Sequence, residues 1–158
     1  HRNIGYLSTS LGSYITQVRH RAFFSALKKN GLKSDPRLAG ISYYVSECVR
    51  RNVPKLLDQG VTAIICCHDQ MANAAMVQCR EAGIKIPEDV SIVGFDDLPM
   101  CAYTEPPLTT VRQDQLLLGK CGYHALESLL DGVPVGTLLL HASLVTRQSC
   151  GTAARQKG

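Results

Sequence analysis

A chain of 158 residues, 45% of them hydrophobic, is the usual length of one domain and has enough apolar residues for a real core. Its formal net charge of +4 is modest, and the Lys and Arg are scattered apart from Arg19 with Arg21 and Arg50 with Arg51, so charge gives no continuous basic face for nucleic acid. Seven cysteines, an odd number with no C-x-x-C pair, exclude a disulfide framework and point to reduced thiols in a cytoplasmic protein.

Ile4 to Ser8 reads as a first strand, with Gly12 and Ser13 turning into a helix. From Ile15 the apolar positions Ile15, Val18, Ala22, Phe23, Ala26 and Leu27 form a helical stripe that ends at Gly31. Arg19 falls inside that stripe, so it either pairs with an acid or reaches the end of the sheet. Ile41 to Val45 is apolar and aromatic, and Cys48, Val49, Val53, Leu56 and Leu57 carry helical spacing to Gln59. Pro54 lies within it and predicts a kink, or a helix that restarts near Asn52.

The most informative stretch is Val61 to Asp97. An apolar run to Cys67 stops at His68 and Asp69, a helical segment ends at Gly83, and a second apolar run from Val90 to Phe95 stops at Asp96 and Asp97. This is a βαβ pattern with two buried parallel strands, each ending in a polar pair. In open parallel sheets the carboxyl edge of the strands is where small ligands bind. Asp69 is placed as the helix N-cap, leaving His68 free to leave the sheet. Asp96 either caps a turn or accepts hydrogen bonds from a ligand, and Asp97 is the better turn former.

Beyond Asp97, Pro99 to Thr104 reads as a helical turn and Glu105 to Pro107 as an extended crossing. Leu108 to Arg112 alternates as a strand, and Asp114 to Leu130 is an amphipathic helix ended by Gly132. Residues 137–149 read as two further strands, and 151–158 as a small, polar, disordered tail. No run is long enough to span a membrane, and no signal peptide opens the chain. The start on a strand-like segment is what a fragment of a longer protein would show.

The string CHDQMANAAMVQCREAGIKIPEDVSIVGFDDLPMCAYTEPPLTTVRQD, with HRNIGYL, VRHRAFFSALKKNGL and LVTRQS, resembles the LacI/GalR family of bacterial transcriptional regulators over nearly the whole chain. "REAG", "IPEDVSIVGFDD" and "PPLTTVRQ" are each weak alone but specific together and in order. The resemblance implies a truncated α/β fold, a parallel-sheet α/β/α sandwich of the periplasmic-binding-protein-like type I. Residues 1–104 and 133–150 would form the C-terminal lobe of the effector-binding domain, with 105–132 crossing into the N-terminal lobe. The helix-turn-helix headpiece that binds operator DNA would lie outside these residues, and the expected assembly is a homodimer.

The resemblance also assigns roles. Asp96 would accept two hydroxyl hydrogen bonds from a sugar or similar polyol, and Arg19 would donate a fork of bonds. His68 would supply a switchable donor or acceptor, where relatives more often carry a small polar residue. Tyr44 would stack on the effector, with Tyr43 as its competitor; Gln113 would reach in from the other lobe, and Ser13 and Ile15 would line the cleft. No cofactor is expected. The alternative is a periplasmic sugar-binding protein of a transport system. An enzyme using Cys66, Cys67, His68 and Asp69 meets the objection that adjacent strand residues face opposite ways, as does a metal site there. No glycine-rich phosphate loop is present.

Overall fold

In the structure, a computed structural model that describes residues 1–153, the apolar runs up to Arg112 form strands and the 3.6-period stripes form helices. In chain order these are β1 (Ile4–Thr9), α1 (Tyr14–Lys29), β2 (Ala39–Ser42), α2 (Val45–Asp58), β3 (Ala63–Cys66), α3 (Asp69–Glu81), β4 (Ser91–Asp96), β5 (Thr109–Arg112), α4 (Gln115–Leu130) and β6 (Ser143–Val145). Short 3₁₀ turns occupy Pro36–Leu38 and Pro99–Ala102.

The six strands form one sheet in the order β2-β1-β3-β4-β5-β6, parallel except for β6, which runs antiparallel to β5. Strand order reverses direction after β2. Right-handed crossovers therefore put α1 on one face and α2 with α3 on the other, which gives the expected three-layer α/β/α sandwich. On the first face Tyr6 stacks on Phe23 of α1, ring centroids 5.0 Å apart. On the second, Leu7, Ile64 and Ile92 pack with Val53, Leu56, Met71, Ala72 and Ala75, all buried.

Local chemistry explains the helix ends. The Ser13 hydroxyl accepts from Thr16 N at 3.2 Å to start α1, and Asp114 Oδ1 accepts from Leu117 N at 2.8 Å to start α4. Gly83, with φ +72°, closes α3 in the left-handed conformation that side chains avoid.

Three expectations need correction. Pro54 lies inside an uninterrupted α2; the carbonyl that loses its partner belongs to exposed Arg50, where water can satisfy it. Residues 137–149 form one strand, β6, rather than two. Residues 135–140 instead run alongside α4, leaving a recess of about 660 Å³ between them. Finally, the tail is not free from 151: Gly151 N donates to Ser91 Oγ at 3.1 Å and its carbonyl meets the His1 ring at 3.0 Å. The rest of that tail, 154–158, lies outside the described residues.

α4 buries none of its side chains, and Leu116, Tyr123, Leu126, Leu129 and Leu130 are all exposed. Among the described residues no helix is long and apolar enough to cross a membrane.

Candidate functional site

Parallel strands send all their following loops to the same edge. Ser13 and Ile15 follow β1, Tyr44 follows β2, His68 follows β3, Asp96 ends β4 and Gln113 follows β5, while Arg19 reaches that edge from the second turn of α1. The seven residues picked out in the sequence thus share the carboxyl edge, though hydrogen bonds do not join all of them.

Arg19, Asp96 and Gln113 are joined. Asp96 Oδ1 accepts from Gln113 Nε2 at 3.0 Å and from Arg19 Nη2 at 3.5 Å. Arg19 also donates through Nη1 to the Cys67 carbonyl, and its guanidinium lies 3.9 Å from the centre of the Phe95 ring. The fork expected to serve a ligand is therefore partly spent on tying the end of β3 to the end of β4. Asp96 Oδ2 takes no donor among the described residues, and the side chain is 28% exposed. One carboxylate oxygen is anchored and the other is open.

Asp96 and Asp97 both have positive φ, +111° and +54°, a sequence of conformations that non-glycine residues adopt at a cost of about 1–3 kcal/mol each. Asp97 is more than a turn former. Its carboxylate, 7% exposed, accepts from Arg112 Nε at 2.6 Å and Arg147 Nη2 at 2.7 Å, and Arg147 Nη1 holds the Leu108 carbonyl at 2.8 Å. Burial pushes the Asp97 carboxyl up, but the hydrogen bonds from Arg147 and then Arg112 prevail and hold it below the usual carboxylate value. This clamp fixes the strained turn that presents Asp96. Sequence reasoning missed Arg112, Arg147 and Phe95; the two arginines lie 15 and 50 positions from Asp97, with nothing local to mark the pairing.

The expected roles of His68 and Asp69 are exchanged. His68 is the N-cap of α3, its Nδ1 accepting from Met71 N at 3.1 Å. Asp69 is the first helical residue and is fully buried, with Oδ2 accepting from Leu98 N at 2.8 Å and Oδ1 from the Thr110 hydroxyl at 2.5 Å. It pins α3 to β5 and to the loop after β4. Gly94 makes room for it, because a Cβ there would collide with Asp69 Oδ1.

Beside the cap, Cys67 and His68 titrate as neighbours. The hydrogen bond with the Cys67 side chain raises the imidazole above its ordinary value, against the opposing effect of burial. Burial pushes the Cys67 thiol up, but the His68 ring outweighs it and brings the thiol down.

The remaining residues sit further out. Tyr44 is the N-cap of α2, exposed and edge-on to Tyr43, centroids 4.9 Å apart, so either ring is free to lie against a bound molecule. The Ser13 hydroxyl is committed to the α1 cap, and Ile15 is 60% exposed and offers apolar surface. An almost wholly apolar groove of about 350 Å³ lies under α1, lined by Ile4, Tyr6, Phe23, Ile65 and Val111 and sharing Arg19 and Phe95 with the strand-edge site. A polyol could satisfy few of its hydroxyls there, so the polar edge is the better recognition surface.

A mostly parallel open sheet with helices on both faces and polar side chains converging at its carboxyl edge is an architecture in which small molecules bind at that edge. Residues 1–150 match the family described as a periplasmic binding protein-like domain, and the chain belongs to that family. The chain is 31% identical over 153 residues to the HTH-type transcriptional repressor CytR of Escherichia coli (strain K12), covering 94% of this chain and 45% of that protein. Among solved structures it is similar to a transcriptional regulator CelR–cellobiose complex, at 28% identity and a TM-score of 0.84, over 94% of this chain and 47% of that one. It is also similar to the lac repressor dimer bound to operator and the anti-inducer ONPF, at 31% identity and a TM-score of 0.83, over 95% and 53%. The chain spans about half the length of these relatives. The LacI-type resemblance of the motifs is borne out.

Proposed function

We propose that this chain is the effector-sensing part of a non-enzymatic, cytoplasmic, LacI-type transcriptional regulator, a repressor controlled by a small sugar-like molecule. The longer protein would bind operator DNA through a headpiece outside these residues and act as a homodimer. Residues 1–104 and 133–150 form the C-terminal lobe in this reading, and 105–132 cross into the N-terminal lobe. The exposed apolar residues of α4 are consistent with a helix whose native partner is that second lobe.

The observation that carries the reading is Asp96. A carboxylate with one oxygen held by Arg19 and Gln113 and the other open is preorganised to accept hydroxyl hydrogens. Because Gln113 lies in the crossing segment, a molecule seated on Asp96 would touch both lobes and favour the closed arrangement. Tyr44, Ser13, Ile15 and His68 complete the rim.

The test is a thermal-shift screen of the complete protein against D-glucose, D-galactose, D-ribose, cellobiose, maltose and adenosine. A compound at a hundred times its dissociation constant stabilises by about 2.7 kcal/mol. We expect a sugar hit that Asp96→Ala abolishes while operator binding survives. A hit unaffected by Asp96→Ala overturns the site, and no stabilisation by any of the six compounds overturns the sugar-sensing reading.

A further inference from the structure

β3 ends at Cys66, and the chain bends at Cys67 and His68 before α3 begins at Asp69. The bend removes the objection that neighbours on a strand face opposite ways. The His68 ring hydrogen-bonds the Cys67 thiol, and the Ser8 hydroxyl and Thr9 N–H approach the same sulfur from β1. Ser8 is 0% exposed and its hydroxyl completes no hydrogen bond of good geometry, so it is available to donate to a negative sulfur. Cys67 also lines the apolar groove under α1, with Tyr6, Phe23, Ile65 and Phe95 beside it and Arg19 where the groove meets the strand edge. At 2% exposed, its sulfur is reached only through that groove. Burial pushes the thiols of Cys48, Cys66, Cys79, Cys101 and Cys150 up, whereas at Cys67 the same burial is outweighed by the His68 ring.

We infer that Cys67 is a modification site for small apolar electrophiles, α,β-unsaturated carbonyl compounds that enter the groove under α1. The groove selects the apolar body. Arg19 selects the carbonyl, because its guanidinium is a charged donor suited to the oxygen on which negative charge gathers. The chemistry is a conjugate addition. The Cys67 thiolate forms a bond to the β-carbon, the π pair of the alkene moves through the α-carbon to the carbonyl oxygen, and the α-carbon then takes a proton from the His68 ring or water. Thiol and alkene combine into one thioether, with no oxidant, reductant or leaving group. His68 activates the sulfur and forms no bond to the electrophile. Cys67 reacts in this way whether or not the strand edge binds a sugar.

N-cyclohexylmaleimide and N-(2-hydroxyethyl)maleimide carry the same reactive alkene on an apolar and a polar body, and peptide mass spectrometry of the complete protein reads the rate at each cysteine. By exposure alone, half-buried Cys150 would react before Cys67. We expect the reverse with N-cyclohexylmaleimide at pH 7, Cys67 leading by at least about tenfold. With the hydroxyethyl reagent the lead should shrink at least about threefold. No adduct at Cys67, or one formed no faster than at Cys150, overturns the site; equal leads with the two reagents overturn the groove as its entrance. His68→Asn keeps an N-cap for α3 and removes the imidazole. It should slow Cys67 at pH 7 by at least about fivefold and leave Cys150 unchanged. A pH profile separates activation from a change of shape. The wild-type Cys67 rate should level off below pH 9, the ordinary thiol value, whereas in His68→Asn it should still climb there. Tyr6, Arg19, Cys48, Cys66 and Asp96 are the other charged or titratable groups near this pair, and all are kept in the variant. An unaltered rate and profile in His68→Asn overturn the role of His68.

Discussion

Asp69→Ala removes two acceptors from a buried seam and leaves the donors in place. Leu98 N and the Thr110 hydroxyl, at 2.8 Å and 2.5 Å, both donate to this carboxylate, and Asp69 and Thr110 are each 0% exposed. Each bond to a charged acceptor contributes about 1.5–3 kcal/mol, so the pair together contributes about 3–6 kcal/mol. The cavity left by a small polar group is minor beside this. With a urea slope of about 2 kcal/mol per M for a domain of this size, the unfolding midpoint should fall by about 1.5–3 M. Asp69→Asn should cost less than Asp69→Ala, because its amide oxygen can still accept from Leu98 N while the Thr110 hydroxyl turns to accept from the new NH₂. Thr110→Val should cost little once Asp69 is gone, giving a coupling energy in a double-mutant cycle. Chemical denaturation followed by circular dichroism measures all four. If Asp69→Ala unfolds within about 0.5 kcal/mol of the parent, the seam is not what holds α3 to the sheet.

The Asp97 clamp sets an acid dependence. Its folded value lies below the ordinary 3.8, so its contribution is complete above that value and is lost as pH falls through the folded one. Melting temperature should therefore drop below about pH 4, and Arg147→Gln should flatten that limb; an unchanged limb would refute the clamp. Gly94→Ala should lower stability by about 1–3 kcal/mol, because the new Cβ meets Asp69 Oδ1 as well as Leu108 Cδ2 at 3.1 Å. In an Asp69→Ala background the same change should cost less, and strict additivity in denaturant midpoints would show that the collision with Asp69 is not the cause.

What the sequence revealed follows from the range over which each signal acts. Strands, helix stripes and stopping glycines are local patterns, and they recover the α/β/α sandwich and the edge where Asp96 and Arg19 lie. The exchange between His68 and Asp69 could not be read locally, since both types can cap a helix and they are adjacent. Burial decides it, and the clues stand on other strands, at Gly94 and Thr110. Pro54 misled because the pattern could not show that Arg50, whose carbonyl loses its partner, faces water. The second strand expected in 137–149 failed because α4 with its following segment lies away from the sheet, and apolar residues there need not alternate against it. Asp97 with Arg147 is a pair across 50 positions that folding alone brings together.

The two adjacent aspartates divide the labour of the cleft, and the division explains how the site can be both rigid and open. Asp97 is saturated, each carboxylate oxygen held by a different arginine, one from β5 and one from the loop after β6. Asp96, one residue earlier on the same strained turn, is held through a single oxygen by the residue that follows Arg112. Arg112 and Gln113 therefore bind neighbouring carboxylates from neighbouring positions at the end of β5. Any displacement of the chain where it leaves β5 toward α4 must move both bonds together, and any molecule that settles on Asp96 must compete with or reinforce one of them. The short segment Arg112 to Asp114 thus joins both carboxylates to the N-cap of α4 through three consecutive residues.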